Sequence, residues 1–504
     1  MAGAVGCPGG VAPPAPGAAG AVADKGLRRG AIGLISSVVI GVASTAPGYS
    51  LAATLGLIVA VVGFQAPAVL WVAFVPMLCI ASAYRYMNRT DPDCGTTFAW
   101  VTKAMGPWAG WLGGWAIIVA DVIVMANLAQ IAGLYSFELV GWATAGASTA
   151  AVTTVGVLWI VLMTAITTIG IELSARTQWY LLGAEVATLA LFAVVALVRV
   201  ATGDALAGAE PPQLAWFSPL AIDGGAPALA SGVLLAIFIY WGWDSAVSVN
   251  EETANPRESP GRSAILSTIL LVGIYVLVAT AAIAFAGADR LAGEEDALSI
   301  LGTEVLGGTF DSLLIIAVLT SAAASTQTTI LPTARTMLSM SRLGAMPAGL
   351  GLVHPRRMTP HVATILFGAL AIVWYVGLTI VSENILLDSL AALGLMIAFY
   401  YGLTGFACAL YYRRAARRSL TGLLFAVLAP ATGGAILTWV LVRSIVDLAD
   451  PANSESGAAW LGLGPPLVIG AGFMALGALL MLIWSRRERA FFRRPAEVLR
   501  GGGG

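Results

Sequence analysis

The sequence Ala43-Ser44-Thr45-Ala46-Pro47-Gly48 lies in the middle of an apolar segment running from residue 31 to 57, and Tyr240-Trp241-Gly242-Trp243-Asp244 lies in the middle of another from 227 to 249. Pro47 removes a helical hydrogen bond, and Gly48 and Gly242 loosen the backbone beside it. A helix broken inside hydrocarbon leaves peptide groups that no solvent can satisfy, so such breaks persist only where they line a cavity or bind something. Two breaks at matching positions in two runs of spans point to the substrate site of a membrane carrier.

Composition agrees with that reading. Aliphatic and aromatic residues make up 58% of the 504 residues and charged residues 11%, which places the chain among integral membrane proteins. A span needs about 20 apolar residues. Twelve stretches qualify: 31–57, 66–87, 108–136, 150–170, 178–201, 227–250, 262–287, 309–338, 361–381, 385–412, 420–445 and 463–485. With the N-terminus inside, all of the 26 Lys and Arg residues except Arg199, Arg290 and Arg443 fall in inner loops or at inner helix ends. The positive-inside rule then predicts a multi-pass protein of the plasma (inner) membrane with both termini cytoplasmic.

The net charge of −1 gives no sign of a nucleic-acid partner, and the basic tail is suited to anionic membrane lipid. Cys7, Cys79, Cys94 and Cys408 show no metal-like spacing, so neither a disulfide nor a metal site is expected. Four regions follow: a disordered cytoplasmic arm over 1–29, a core of ten helices over 30–414, two further helices over 415–485, and a basic cytoplasmic tail over 486–504. Because each run of the core has five spans, an odd number, the second run is inverted relative to the first.

The first break offers the amides of Ser44, Thr45 and Ala46 to a carboxylate, with Ala43 and Pro47 flanking them; a kink repaired by neighbouring hydroxyls is the alternative. Beside the second break, Phe238, Tyr240, Trp241 and Gly242 supply aromatic surface and exposed backbone for a substrate, or simple packing. Asp121, Glu185 and Asp244 lie deep in predicted spans, at an insertion cost of about 2.5–3.5 kcal/mol each. With no Lys or Arg at comparable depth they are candidates for carrying protons, or for structural hydrogen bonds; Asn127 and Gln130 near Asp121 favour a plain polar network there. Thr320, Ser321, Ser325, Thr326, Gln327, Thr328 and Thr329 make the eighth span rich in hydroxyls, so Ser325 and Thr326 are candidate ion ligands, or else small interface residues. After the sixth span, Glu251, Glu252 and Arg257 form a charged turn that reads as a cytoplasmic gate or as a solvated loop.

Several motifs occur in one order. Gly242-Trp243-Asp244, Glu251-Glu252 and Asn255-Pro256 resemble the Gly-Phe-Asp, Glu-Glu, Asn-Pro signature of the amino acid-polyamine-organocation superfamily. Gly95-Thr96-Thr97-Phe98-Ala99-Trp100, with Gly106-Pro107 and Gly114-Trp115, is similar to that superfamily's entry to the third helix, Thr96 standing where a second Gly is usual. Ser174-Ala175-Arg176, Arg342, Met346-Pro347 and Thr359-Pro360 complete the set.

The resemblance covers residues 30 to 414. It implies an all-α membrane fold of twelve helices: a five-plus-five inverted repeat with helices one and six broken, plus two C-terminal helices. It further implies a permease working by alternating access, its substrate held at the two breaks. In proton-coupled relatives a Lys on the fifth helix stands where sodium sits in sodium symporters, and Glu185 falls at that position here. The expected function is import of an amino acid, coupled to protons or to sodium, without a cofactor. A polyamine or organic-cation carrier is the alternative within transport, and a non-transporting ligand sensor is the alternative of another class. An enzyme is not expected, because His354 and His361 sit in an inner loop without a nucleophile, base or metal set around them.

Overall fold

The computed structural model describes residues 24–294, 297–307, 312–414 and 419–493. Residues 1–23, which are most of the expected arm and include Cys7, lie outside them, as does the tail beyond 493. Among the described residues the chain is helical, with two isolated β-bridges and no strand. Ten helical runs are long and apolar enough to cross a bilayer. The first of them, Leu34–Thr90, has 57 residues. At 1.5 Å per residue that is about 85 Å, nearly three times a hydrocarbon core of about 30 Å, so it makes more than one crossing. It divides into α1 (Leu34–Ser44), α2 (Pro47–Val62) and α3 (Ala66–Thr90).

Beyond them come α4 (Thr97–Met105), α5 (Pro107–Leu139), α6 (Thr149–Ile169), α7 (Ile171–Thr202) and α8 (Gly225–Ile239). The second break and a single turn, Ser245–Ser248, follow α8. The rest is α9 (Ser259–Ala286), α10 (Ala297–Leu306), α11 (Ser312–Arg342), α12 (His361–Val381), α13 (Glu383–Tyr412), α14 (Ala429–Asp447) and α15 (Pro465–Arg487). Helices α5 and α11 pack along one another at the centre and are buried over most of their length. The outer helices turn Leu158, Val161, Val373, Ile380, Val442 and Leu479 outward, and an apolar exterior of that extent is a surface made to meet lipid.

Three boundaries differ from the sequence expectation. Helix α7 starts at Ile171, directly after Gly170, whereas the apolar stretch of the sequence starts at 178; Ser174-Ala175-Arg176 lies in its first turns. The segment between the apolar stretches 262–287 and 309–338 contains α10. The end of the arm is packed and not disordered: Lys25 and Leu27 are buried. Ile32 pairs in parallel with Thr253, its amide donating to the Glu252 carbonyl at 3.1 Å and its carbonyl accepting from the Ala254 amide at 2.9 Å.

The two breaks touch backbone to backbone. Gly242 has φ +115°, and a Cβ there would stand 2.6 Å from the Ser44 carbonyl oxygen, so glycine is required both by conformation and by space. Thr96, the superfamily departure noted above, has φ +41°, where a β-branched residue is strained.

Opposite outcomes are expected for two substitutions, read by thermal unfolding in detergent. Gly242→Ala should lower stability by about 1–3 kcal/mol, against a Gly273→Ala control in α9 whose Cβ meets nothing within 4 Å. Thr96→Gly should raise stability by about 1 kcal/mol.

Candidate functional site

At the first break the chain closes its own amides. Thr45 N–H donates to the Val42 carbonyl at 3.1 Å and Ala46 N–H to the Ala43 carbonyl at 3.2 Å. This corrects the expectation that Thr45 and Ala46 hold out free amides. Ala46 then takes a left-handed conformation, φ +47°, and α2 starts afresh at Pro47, which has no N–H to satisfy. The donors left at the new N-terminus are those of Gly48 and Tyr49. Gly48 N–H donates to Glu185 Oε1 at 2.7 Å and Tyr49 N–H to Ser321 Oγ at 3.3 Å. A carboxylate at a helix N-terminus is favoured by the aligned peptide dipoles, and here it comes from α7 of the same chain. Glu185 is fully buried, and its second oxygen, Oε2, has no hydrogen-bond partner.

Ser321 and Ser325 are four residues apart on α11 and so share one face. Ser321 accepts from Tyr49, while Ser325 Oγ donates to the Ser44 carbonyl at 2.9 Å. Three other hydroxyls of this run turn back on their own helix: Thr320 donates to the Ile316 and Ala317 carbonyls, Thr326 to that of Ala322, and Thr328 to those of Ala324 and Ser325. Of the two expected ion ligands, Ser325 therefore faces the break, and Thr326 has its hydrogen bonded within α11.

Asp244 is buried among tyrosines. Tyr401 donates to its Oδ1 at 2.9 Å, and Tyr400 and Tyr84 donate to its Oδ2 at 3.2 and 3.4 Å. Trp241 Nε1 donates to the Tyr400 hydroxyl, and the Trp243 ring stacks on Tyr401 at 5.3 Å. Tyr240 is buried with its hydroxyl on the Leu70 carbonyl at 3.0 Å, while Phe238 is half-buried. Asp121 accepts from Thr333, eight residues and about 12 Å along α11 from Ser325. Asn127 bonds instead to Leu386 and Ser389, and Gln130 to Tyr375, so the network expected to join them to Asp121 is not formed through these bonds.

The charged turn that follows Ser248 pairs with two distant elements. Arg335 of α11 grips Glu252 with two hydrogen bonds, 2.6 and 2.8 Å, both side chains being 1% exposed or less. Lys25 of the arm reaches Glu251 at 2.5 Å, Asp93 at 2.9 Å and Cys94 Sγ at 3.6 Å. Asp93, Cys94 and Glu251 have the donor chemistry of a metal site, but the Lys25 ammonium already lies among them as the cation. Burial opposes the charge on Lys25, yet Asp93, Cys94 and Glu251 outweigh it and raise its pKa well above 10.5. Burial likewise opposes the Asp93 carboxylate, but Lys25, the Ser339 hydroxyl and the Gly95 amide hold it at about 2. Glu251 is pushed up by its own burial, against Lys25, and Asp93 adds to the rise. Arg257 donates to the Arg89 and Thr90 carbonyls at 3.1 Å, capping α3.

A family model for "Amino acid permease" matches residues 29–473. The chain belongs to that family, within the amino acid-polyamine-organocation superfamily. It is 28% identical over 352 residues to an uncharacterized transporter of Mycobacterium tuberculosis, covering 69% of this chain and 73% of that one. It is 25% identical over 320 residues to the branched-chain amino acid permease BcaP of Bacillus subtilis, covering 60% and 64%. It is 24% identical over 297 residues to the mouse Asc-type amino acid transporter 1, covering 58% and 55%.

In this permease Tyr84, Tyr400 and Tyr401 around Asp244 carried no signal in the sequence, since a tyrosine in an apolar span reads as packing. Arg335 was visible only as one more inner charge. The ordering of Lys25 could have been inferred from the two acids of the turn at 251–252, which need cations from somewhere.

The fold contribution of Asp93 is complete above about pH 4 and is lost as pH falls toward 2; that of Lys25 is complete below pH 10.5 and is lost only above its raised value. Lys25→Met leaves buried carboxylates without their cation, at a cost of about 3–5 kcal/mol. The melting temperature of the variant should fall at pH 7 and recover in part toward pH 4–5, as those carboxyls take up protons. An unchanged melting temperature at pH 7 would show that Lys25 has no structural part.

Proposed function

We propose that this permease is a secondary transporter that imports a neutral amino acid across the plasma membrane by alternating access, coupled to protons. Twelve spans, both termini cytoplasmic and a five-plus-five inverted repeat belong to the same proposal. Family membership and relatives named for amino acid transport support the substrate class. The substrate is proposed to lie at the two breaks, between Ala43 to Pro47 on one side and Phe238 to Asp244 on the other.

The observation that carries the coupling is Glu185, a buried carboxyl that bonds through one oxygen to the Gly48 amide and has the other unpartnered. Protonation at Oε2 removes the charge that holds the N-terminus of α2, so occupancy by a proton changes the site at the break. Ser321 and Ser325 lie on the face of α11 that would sense the change. Glu251, Glu252 and Arg257, with Lys25, Asp93 and Arg335, act in this reading as the inner gate. An amine carrier is less well supported: Asp121, Asp244 and Glu185 are each engaged by donors of the protein itself, so a cationic substrate would have to displace them.

Uptake into proteoliposomes under an imposed proton gradient tests both parts. Labelled leucine and alanine should accumulate and putrescine should not; accumulation of the diamine alone would sink the amino acid assignment. Glu185→Gln should abolish gradient-driven accumulation, lowering it by about 10²-fold or more, while leaving exchange of internal for external substrate. If accumulation by the variant follows the gradient as before, Glu185 does not carry the proton.

A further inference from the structure

A groove of about 720 Å³ opens on the apolar exterior, away from both breaks. Helices α12 and α15 form its walls and meet where Trp374 packs edge-on against Phe473, ring centroids 4.9 Å apart. Its floor is the pair Trp111 and Trp115 of α5, stacked at 5.8 Å. The indole N–H groups of this floor are already used: Trp111 donates to the Ala345 carbonyl and Trp115 to that of Phe473, both at 2.9 Å. What remains along the floor is hydrocarbon.

The lining on α12 runs from Leu366 to Val381, fifteen residue steps or about 22 Å. That exceeds the hydrocarbon of one leaflet, half of about 30 Å, and takes an extended acyl chain over its whole length. One end of the groove is different in kind. Arg487, in the last turn of α15, lines it and is exposed, and among the described residues it makes no ion pair. Arg486 and Arg489 flank it in sequence. In the topology proposed above this end lies at the cytoplasmic surface, where membranes carry their anionic lipids and where basic pockets between helices hold lipid headgroups.

We infer that the groove between α12 and α15 is a binding site for one anionic glycerophospholipid, its acyl chain lying over Trp111 and Trp115 and its phosphate held by Arg487. The chain length of the groove selects a lipid, and Arg487 at its mouth, which makes no ion pair among the described residues, selects an anionic one. No residue lining the groove belongs to either break, so the lipid assignment does not depend on which substrate the permease carries.

Native mass spectrometry of the full chain, released from nanodiscs of phosphatidylcholine containing graded phosphatidylglycerol, tests this directly. Wild type should retain one phosphatidylglycerol in preference to phosphatidylcholine. Arg487→Gln should reduce that preference about fivefold while keeping the melting temperature, because the residue is exposed. A Cβ at Gly377, in the groove wall, meets nothing within 4 Å, so Gly377→Trp should fill the groove and expel both lipids alike. Equal retention of the two lipids by wild type would overturn the proposal, as would an unchanged preference in Arg487→Gln. A dimer that Gly377→Trp dissociates would assign the groove to a second copy of the chain instead.

Discussion

Every peptide group inside hydrocarbon must find its hydrogen bond within the protein, and the centre of this molecule is arranged around two places where the helix itself cannot provide one. At the first, the turn before Pro47 closes on itself and the restarted α2 is capped from outside by Glu185 and Ser321. The exposed Ser44 carbonyl is met by Ser325 and lies against Gly242 of the second break. Helices α7 and α11 are thereby fixed to the broken pair through hydrogen bonds, where lipid-like packing alone would leave them free to slide. The polar residues buried at mid-membrane are in this sense the repair of the breaks.

A second concentration of charge lies around Glu251 and Glu252, and the physical terms there differ. Arg335 with Glu252, and Lys25 with Glu251, are buried, with Asp93 partly exposed beside them, so each buried ion depends on its partner for most of its solvation. Such pairs add little net stability when formed but are costly to separate singly. A contact of that kind holds one arrangement firmly until all its members move together.

Much of this was legible from residue types alone. Pro47, Gly48 and Gly242 inside apolar runs mark the breaks, and the runs themselves and the sidedness of Lys and Arg give the helices. Glu185 stood out because a carboxyl deep in a span is expensive. What could not be read were partners set by tertiary geometry: Gly48 is 137 residues from Glu185, and no local pattern says which amide a distant carboxylate will meet. Helix propensity also overrode the expected loop between α6 and α7, where a single residue, Gly170, separates two helices. The superfamily resemblance located the signature around Asp244, yet the tyrosines that hold that acid come from α3 and α13, outside the quoted motifs.

The short parallel pairing of Ile32 with Thr253 has a mechanical meaning. Its two backbone bonds, 3.1 and 2.9 Å, tie the chain just before α1 to the chain just after the turn Ser245–Ser248. Side chains at the seam could be exchanged without loosening it, because peptide groups alone form it. The segment before α1 and the segment after the turn Ser245–Ser248 are thus stitched together there as well as at the breaks, by Gly242 on Ser44. Two points of attachment define a lever: neither segment can tilt without carrying the other.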